Sequence, residues 1–304
     1  MRDDEIRILG TPSKPALHKR AIGRWWLWCI VVIVAILLSI VFVSIYINKS
    51  KNEPEQFVFE EVDLPSVPQL QRTPFGRIID DDTGGFCEIK DTIINDIPLR
   101  IFIPHNADMS LHIGRINQED NEIIYVAQAA DVRADNGGIV GAFVLKGEPR
   151  AWGLSKMGYC ASINGEITVG VADNSPLFEK ATEEGGYFFR QYPLVSNRKI
   201  VENEPKGKSI RRGICSRVGE IFMVETCTQE SFHDFSQALV DLGVDDAVYL
   251  VGSYAHGWAV DESGERHEWG TLNTYKGRRK MPKNTSYIVW KKRDKDIEMS
   301  QIKM

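Results

Sequence analysis

Residues 211–225, RRGICSRVGEIFMVE, read as a β-hairpin: two apolar runs rich in Ile, Val, Phe and Cys meet at Val218-Gly219, where the chain has to turn. Just downstream, Phe232, Phe235, Leu239 and Leu242 recur at steps of three, four and three residues and so share one face of a helix. His233, Asp234, Gln237 and Asp241 fall on its solvent face. Thr226 with Gln229 three residues later has the spacing of a capping box, and Gly243 supplies the stop. A buried strand is expected at 247–251, AVYLV, and a last one at 286–291, SYIVWK.

Upstream of the hairpin the period is again that of strands. Residues 98–103, PLRIFI, alternate; 122–130, EIIYVAQAA, form an apolar run; 139–145, IVGAFVL, end at a Lys146-Gly147 turn. In SINGEITVGVA, 162–172, Asn164-Gly165 offers the positive φ angles of a type I′ turn. No period of about 20–50 residues repeats, which excludes a propeller or solenoid. The class is therefore α+β: a mainly antiparallel β-sheet domain with a few packing helices, preceded by one transmembrane helix.

That helix is expected at Trp25–Ile47, WWLWCIVVIVAILLSIVFVSIYI, 23 residues without a charge. At ~1.5 Å per residue the run spans about 34 Å, against roughly 30 Å of hydrocarbon core. A cleavable signal would have an apolar region of only about 7–15 residues and a small-residue cleavage site. Arg2, Arg7, Lys14, Lys19, Arg20 and Arg24 precede the run, which places a cytoplasmic tail at 1–24 and the rest of the chain outside, periplasmic or extracellular. Residues 48–74 hold Pro54, Pro65, Pro68 and Pro74 among charges and read as an extended linker; 75–304 form the exported domain.

Taking the six basic and three acidic residues of 1–47 from the chain's 37 and 42 leaves 31 against 39, a net −8 for the exported part. Such a balance argues against nucleic acid as partner and leaves room for a basic pocket that takes a small anion. Cys87, Cys160, Cys215 and Cys227 would share an oxidising compartment; disulfides and buried free thiols are both open, and no spacing resembles a metal site. Asp80-Asp81-Asp82 reads as a solvated turn, and His267-Glu268 lacks the second histidine of a zinc helix. No Walker or dinucleotide glycine pattern is present, so no metal or cofactor is expected.

The order of segments, with RRGICSRVGEIFMVE, the helix and DDAVYLVGS preceded by GAFVLKGEPRAWG (141–153) and FFRQYPLVSNRKI (188–200), resembles the phosphodiester glycosidase domain family over Asp91 to Trp290. The resemblance implies cleavage of a sugar from a phosphodiester, with glycine amides and an arginine on the phosphate and a carboxylate at the anomeric carbon. Arg211 matches the family's arginine, followed by Arg212. Two motifs depart from it. Ala130-Asp131-Val132-Arg133 stands where the family has Asn-Gly-Gly-aromatic, and Val251-Gly252-Ser253 where it has Asp-Gly-Gly.

Asp131 and Arg133 offer a replacement catalytic pair beside Arg211, or an ordinary surface ion pair. Arg212, Gly252, Ser253, Tyr254 and His256 are candidate ligand contacts, Gly252 serving equally to turn the chain. Two functions follow. One is a membrane-anchored hydrolase of a sugar phosphodiester; the other is a non-catalytic relative that binds a sugar phosphate, a glycan or an envelope partner.

Overall fold

The computed structural model describes residues 72–270 and 282–293, with Ser39 and Val41 ahead of them. The chain divides into two units, Met1–Pro68 and Gln69–Met304, and the described core belongs to the second. Among the described residues no helix is long and apolar enough to cross a membrane. The expected span at 25–47, apart from Ser39 and Val41, lies outside the described residues, as do the tail at 1–24 and the linker up to 71.

Three antiparallel sheets make the domain. The largest has seven strands in the order Phe86–Ile94, Ile97–His105, Glu220–Thr226, Arg212–Arg217, Asp246–Leu250, Pro193–Ser196 and Lys199–Ile200. The second runs Arg266–Trp269, Gly257–Val260, Ile123–Gln128, Ser286–Lys292 and Ala107–Ile113; the third runs Glu148–Trp152, Ala142–Leu145, Tyr187–Gln191, Gly158–Ile163 and Glu166–Val171. With the helices Leu177–Glu183 and Phe232–Asp241 in the described part of the second unit, the class is α+β as expected.

The central strands of the seven-stranded sheet are buried on both faces, and side-chain alternation sorts their residues between two cores. Ile214, Met223, Val248, Leu250 and Phe102 face the other sheets. Cys215, Phe222, Val224, Ala247, Tyr249, Leu99 and Ile101 face the helix Phe232–Asp241. That helix contributes the expected stripe, Phe232, Phe235, Leu239 and Leu242. Its start differs from the expected capping box: Ser231 is the N-cap and accepts from the Asp234 amide, whereas Thr226 ends a strand and its buried hydroxyl accepts from the Arg211 amide at 2.9 Å. A threonine already committed across the sheet cannot cap a helix.

Packing begins before residue 75. Arg72 donates to Gly243 O and Asp245 Oδ1, and the Glu220 carboxylate accepts from the Phe75 and Gly76 amides at 2.6 and 2.7 Å. Phe75 meets Phe222 edge to face. Beside it, Glu88 is held at about 2: burial alone would raise its pKa, but hydrogen bonds from His105, the Arg77 amide and Lys90 outweigh that. All four described cysteines are free thiols, with Cys87, Cys160 and Cys215 buried and Cys227 exposed.

Asn164-Gly165 turns with φ of 52° and 82°, as expected for its hairpin, and Asp80 closes a turn through its carbonyl to the Thr83 amide. Val218 adopts φ 51° before Gly219, although a β-branched residue fits the left-handed region poorly. Its amide donates to Asp245 Oδ2 and holds it there. Val218→Asn keeps that amide and relieves the side-chain clash, so the variant is expected to gain about 1 kcal/mol. Urea unfolding checks this: the midpoint should rise with the slope unchanged.

Candidate functional site

Arg211 directly precedes the strand Arg212–Arg217, and the alternation of faces along that extended chain separates it from Arg212. Arg211 lies on the helix side. Its guanidinium sits 4.1 Å from the Phe232 ring centroid, Nε donates to Glu230 O and Nη2 to Gly207 O. Phe232 in turn contacts Tyr192 and Tyr249, and Lys156 Nζ lies over the Tyr192 ring. The result is a block of three rings with a cation at each end, tying the helix start to the sheet.

Arg212 faces the other way, into a cavity of about 410 Å³. Lys208, Glu225, Gln229, Ser253, Tyr254 and Trp269 line it with Arg212. Arg212 is 2% exposed; its Nη1 donates to Val251 O and Ala255 O at 3.1 and 3.2 Å, and its Nε donates to Glu225 Oε2. Trp269 stands 5.3 Å from the guanidinium carbon. Burial pushes the Glu225 carboxyl above the usual carboxylate range, against the pull of Arg212 and, more weakly, Arg100. The site thus holds a planar cation and a carboxyl that retains its proton more readily than usual.

The wall behind them is closely packed. A Cβ on Gly252 would meet Ile210 O at 2.0 Å, so only glycine fits between the two chain segments. The Gly252 amide donates to Tyr249 Oη and the Ser253 amide to Ile210 O, holding Ser253 at φ 55° and presenting Tyr254 at the rim, 66% exposed. His256 lies nearby, 3.7 Å from Glu268; burial lowers its pKa and favours the neutral ring.

Of the candidate residues, Arg212, Ser253 and Tyr254 line this cavity, Gly252 and His256 stand on the same loop, and Asp131, Arg133 and Arg211 do not line it. Asp131 and Arg133 belong to a turn whose ends pair at Val132 and Ile139. No ion pair joins the two among the described residues; Asp131 Oδ2 lies 3.7 Å from Lys156 Nζ instead. Glu225 and Trp269 went unnoticed in the sequence. Glu225 had a signal: with the hairpin turning at Val218-Gly219, Arg212 must pair with Glu225, as it does.

Asp261, Glu265 and His267 also converge, their ligand atoms within 4.8 Å of one another. Both Asp261 oxygens are already acceptors, from Ser263 and the Glu265 amide on one side and His267 on the other. The cluster closes a turn.

Fold and cavity together define an antiparallel α+β domain with a paired arginine and carboxyl in an open recess. Its fold is similar to the catalytic domain of zebrafish N-acetylglucosamine-1-phosphodiester alpha-N-acetylglucosaminidase, auto-inhibited by its pro-peptide, at 11% identity over 69% of this chain and 83% of that one, with a TM-score of 0.49. It is also similar to a hypothetical protein from Synechocystis, at 10% identity over 68% and 62%, with a TM-score of 0.45. At these identities the likeness is one of fold alone. No family model and no curated protein matches the chain.

Arg211→Ala removes two hydrogen bonds and a ring contact, so it is expected to lower unfolding free energy by roughly 2–3 kcal/mol. Denaturant unfolding measures that loss, and calorimetry on the folded fraction should show phosphate affinity unchanged within about twofold, the scatter of an untouched site. Loss of phosphate affinity without loss of stability would place Arg211 in the binding site.

Proposed function

We propose that the domain binds a sugar phosphate or sugar phosphodiester in the cavity at Arg212 and hydrolyses the diester with Glu225 as its acid. The Arg212–Glu225 pair carries this reading, supported by the resemblance in segment order. An incoming phosphoryl group takes the guanidinium as a charge-assisted partner. Glu225 then loses its counter-charge in a desolvated place and binds a proton. From there it can donate to the phosphate oxygen as the bond to the anomeric carbon breaks and water adds to that carbon. A cavity of about 410 Å³ has room for a sugar ring beside the phosphoryl group, and Trp269 and Tyr254 offer it aromatic surface.

A second reading, a binding protein without turnover, is favoured by one observation. Glu225 is the single carboxylate lining the cavity among the described residues, whereas glycoside hydrolysis ordinarily uses two. We propose also that Trp25–Ile47 anchors the chain with its N-terminus in the cytoplasm and the domain outside, on the strength of the uncharged length and the basic flank.

Calorimetry with a sugar 1-phosphate, in buffers of different ionisation enthalpy, should show net proton uptake on binding. The sign follows from Glu225: binding raises its pKa, so affinity falls as pH rises from the carboxylate range toward neutrality. Glu225→Gln should abolish the uptake and reduce release of reducing sugar from an aryl phosphodiester by at least about 100-fold. Uptake without sugar release from the unaltered protein selects the second reading; no binding at all rejects both. A reporter fused at residue 304 that is active only outside the cytoplasm is the outcome expected for the topology.

A further inference from the structure

Segment 209–210, just ahead of the strand Arg212–Arg217, gathers three neutral polar side chains onto the cavity at Arg212. Ser209 belongs to it, and its amide and carbonyl pair with those of Glu230 at 3.1 and 2.8 Å, which brings Gln229 alongside. Next to it, Ile210 O accepts from the Ser253 amide at 2.8 Å. All three side chains line the cavity. We propose, on the reading of this cavity as a phosphate site, that Gln229, Ser209 and Ser253 determine its specificity: they read the hydroxyls of a sugar ring and set a preference for a polyhydroxylated ring over an apolar alcohol on the same phosphate.

The charged groups of the cavity are committed, whereas these three are not. Arg212 holds Glu225, Val251 O and Ala255 O, and Lys208 Nζ lies 3.4 Å from Glu230 and 3.8 Å from Asp234. Neither the Gln229 side-chain amide nor the hydroxyls of Ser209 and Ser253 have a hydrogen-bond partner among the described residues. Gln229 and Ser253 are exposed and Ser209 is half-buried, so a ligand in the cavity can reach them. A primary amide donates and accepts at once and can span two neighbouring ring hydroxyls; a serine hydroxyl does the same for one. None of the three is charged, so they favour the ring without adding to the hold on the phosphate.

Ser253 carries the sharpest signal. Its φ of 55° lies in the left-handed region, which glycine enters freely and serine only at some cost in backbone strain. Among the described residues its hydroxyl makes no bond that would offset that cost. A ring hydroxyl in the cavity supplies the missing partner. The backbone bonds to Glu230 and from Ser253 fix the two flanking segments on 209–210 before any ligand arrives, so little has to be ordered on binding.

The probes are glucose 1-phosphate and cyclohexyl phosphate, which share ring size and phosphate and differ in the ring hydroxyls. Each is titrated calorimetrically into the full chain at about pH 8, where both are dianions. Glucose 1-phosphate should bind about tenfold more tightly, the scale of one or two neutral hydrogen bonds. Gln229→Leu should cut that preference to about threefold or less and leave cyclohexyl phosphate within about twofold. Ser253→Gly should cut it likewise while the urea midpoint holds or rises, because glycine relieves the positive φ. Equal affinity of the two probes for the unaltered chain overturns the proposal and leaves the phosphate reading standing; no binding of either probe overturns both. Equal weakening of both probes by Gln229→Leu also overturns it, since the cavity rather than its selectivity has then been lost. Should either variant fail to fold, Ser209→Ala is expected to lower the preference in the same way, and an unchanged preference there overturns the proposal.

Discussion

A sheet covered on both faces has no neutral side. The central strands of the seven-stranded sheet divide their residues between the core shared with the other sheets and the core under the helix Phe232–Asp241. Everything at the Arg212 end depends on that division. Arg211 and Arg212 are chemically equal and adjacent in sequence, yet one is committed to the Phe232 ring and two carbonyls while the other meets Glu225 in a cavity. A shift of the hairpin by a single residue would exchange them.

Much of the fold was legible because its signals are local. Asn164-Gly165, Val218-Gly219 and the three–four–three spacing of Phe232 to Leu242 each require only neighbouring residues to interpret. The edge strand Phe86–Ile94 was harder: FCEIKDTII mixes charge with apolar residues because it has one neighbour and a partly wet face. The helix start was misread because Thr226 and Gln229 have capping-box spacing, whereas the chain runs on as strand to Thr226 and the cap falls to Ser231.

The site was half legible. The loop after the strand Asp246–Leu250 is rich in Gly, Ser and Tyr, and it does form a wall of the cavity. Choosing between two adjacent arginines required strand parity, which segment resemblance does not contain. Trp269 comes from a different sheet, and no pattern along the chain links it to Arg212. Asp131 was expected beside Arg133, two residues away, and its neighbour proved to be Lys156, brought in by another loop.

The cysteines have a consequence for where the domain can be made. Cys87, Cys160 and Cys215 are enclosed in apolar cores, burial lifts their pKa, and none is bonded to another. Thiols so enclosed and so weakly ionised are poor nucleophiles and poor targets for exchange. The described fold closes without a covalent staple. It is equally compatible with a reducing cytosol and with an oxidising space beyond a membrane.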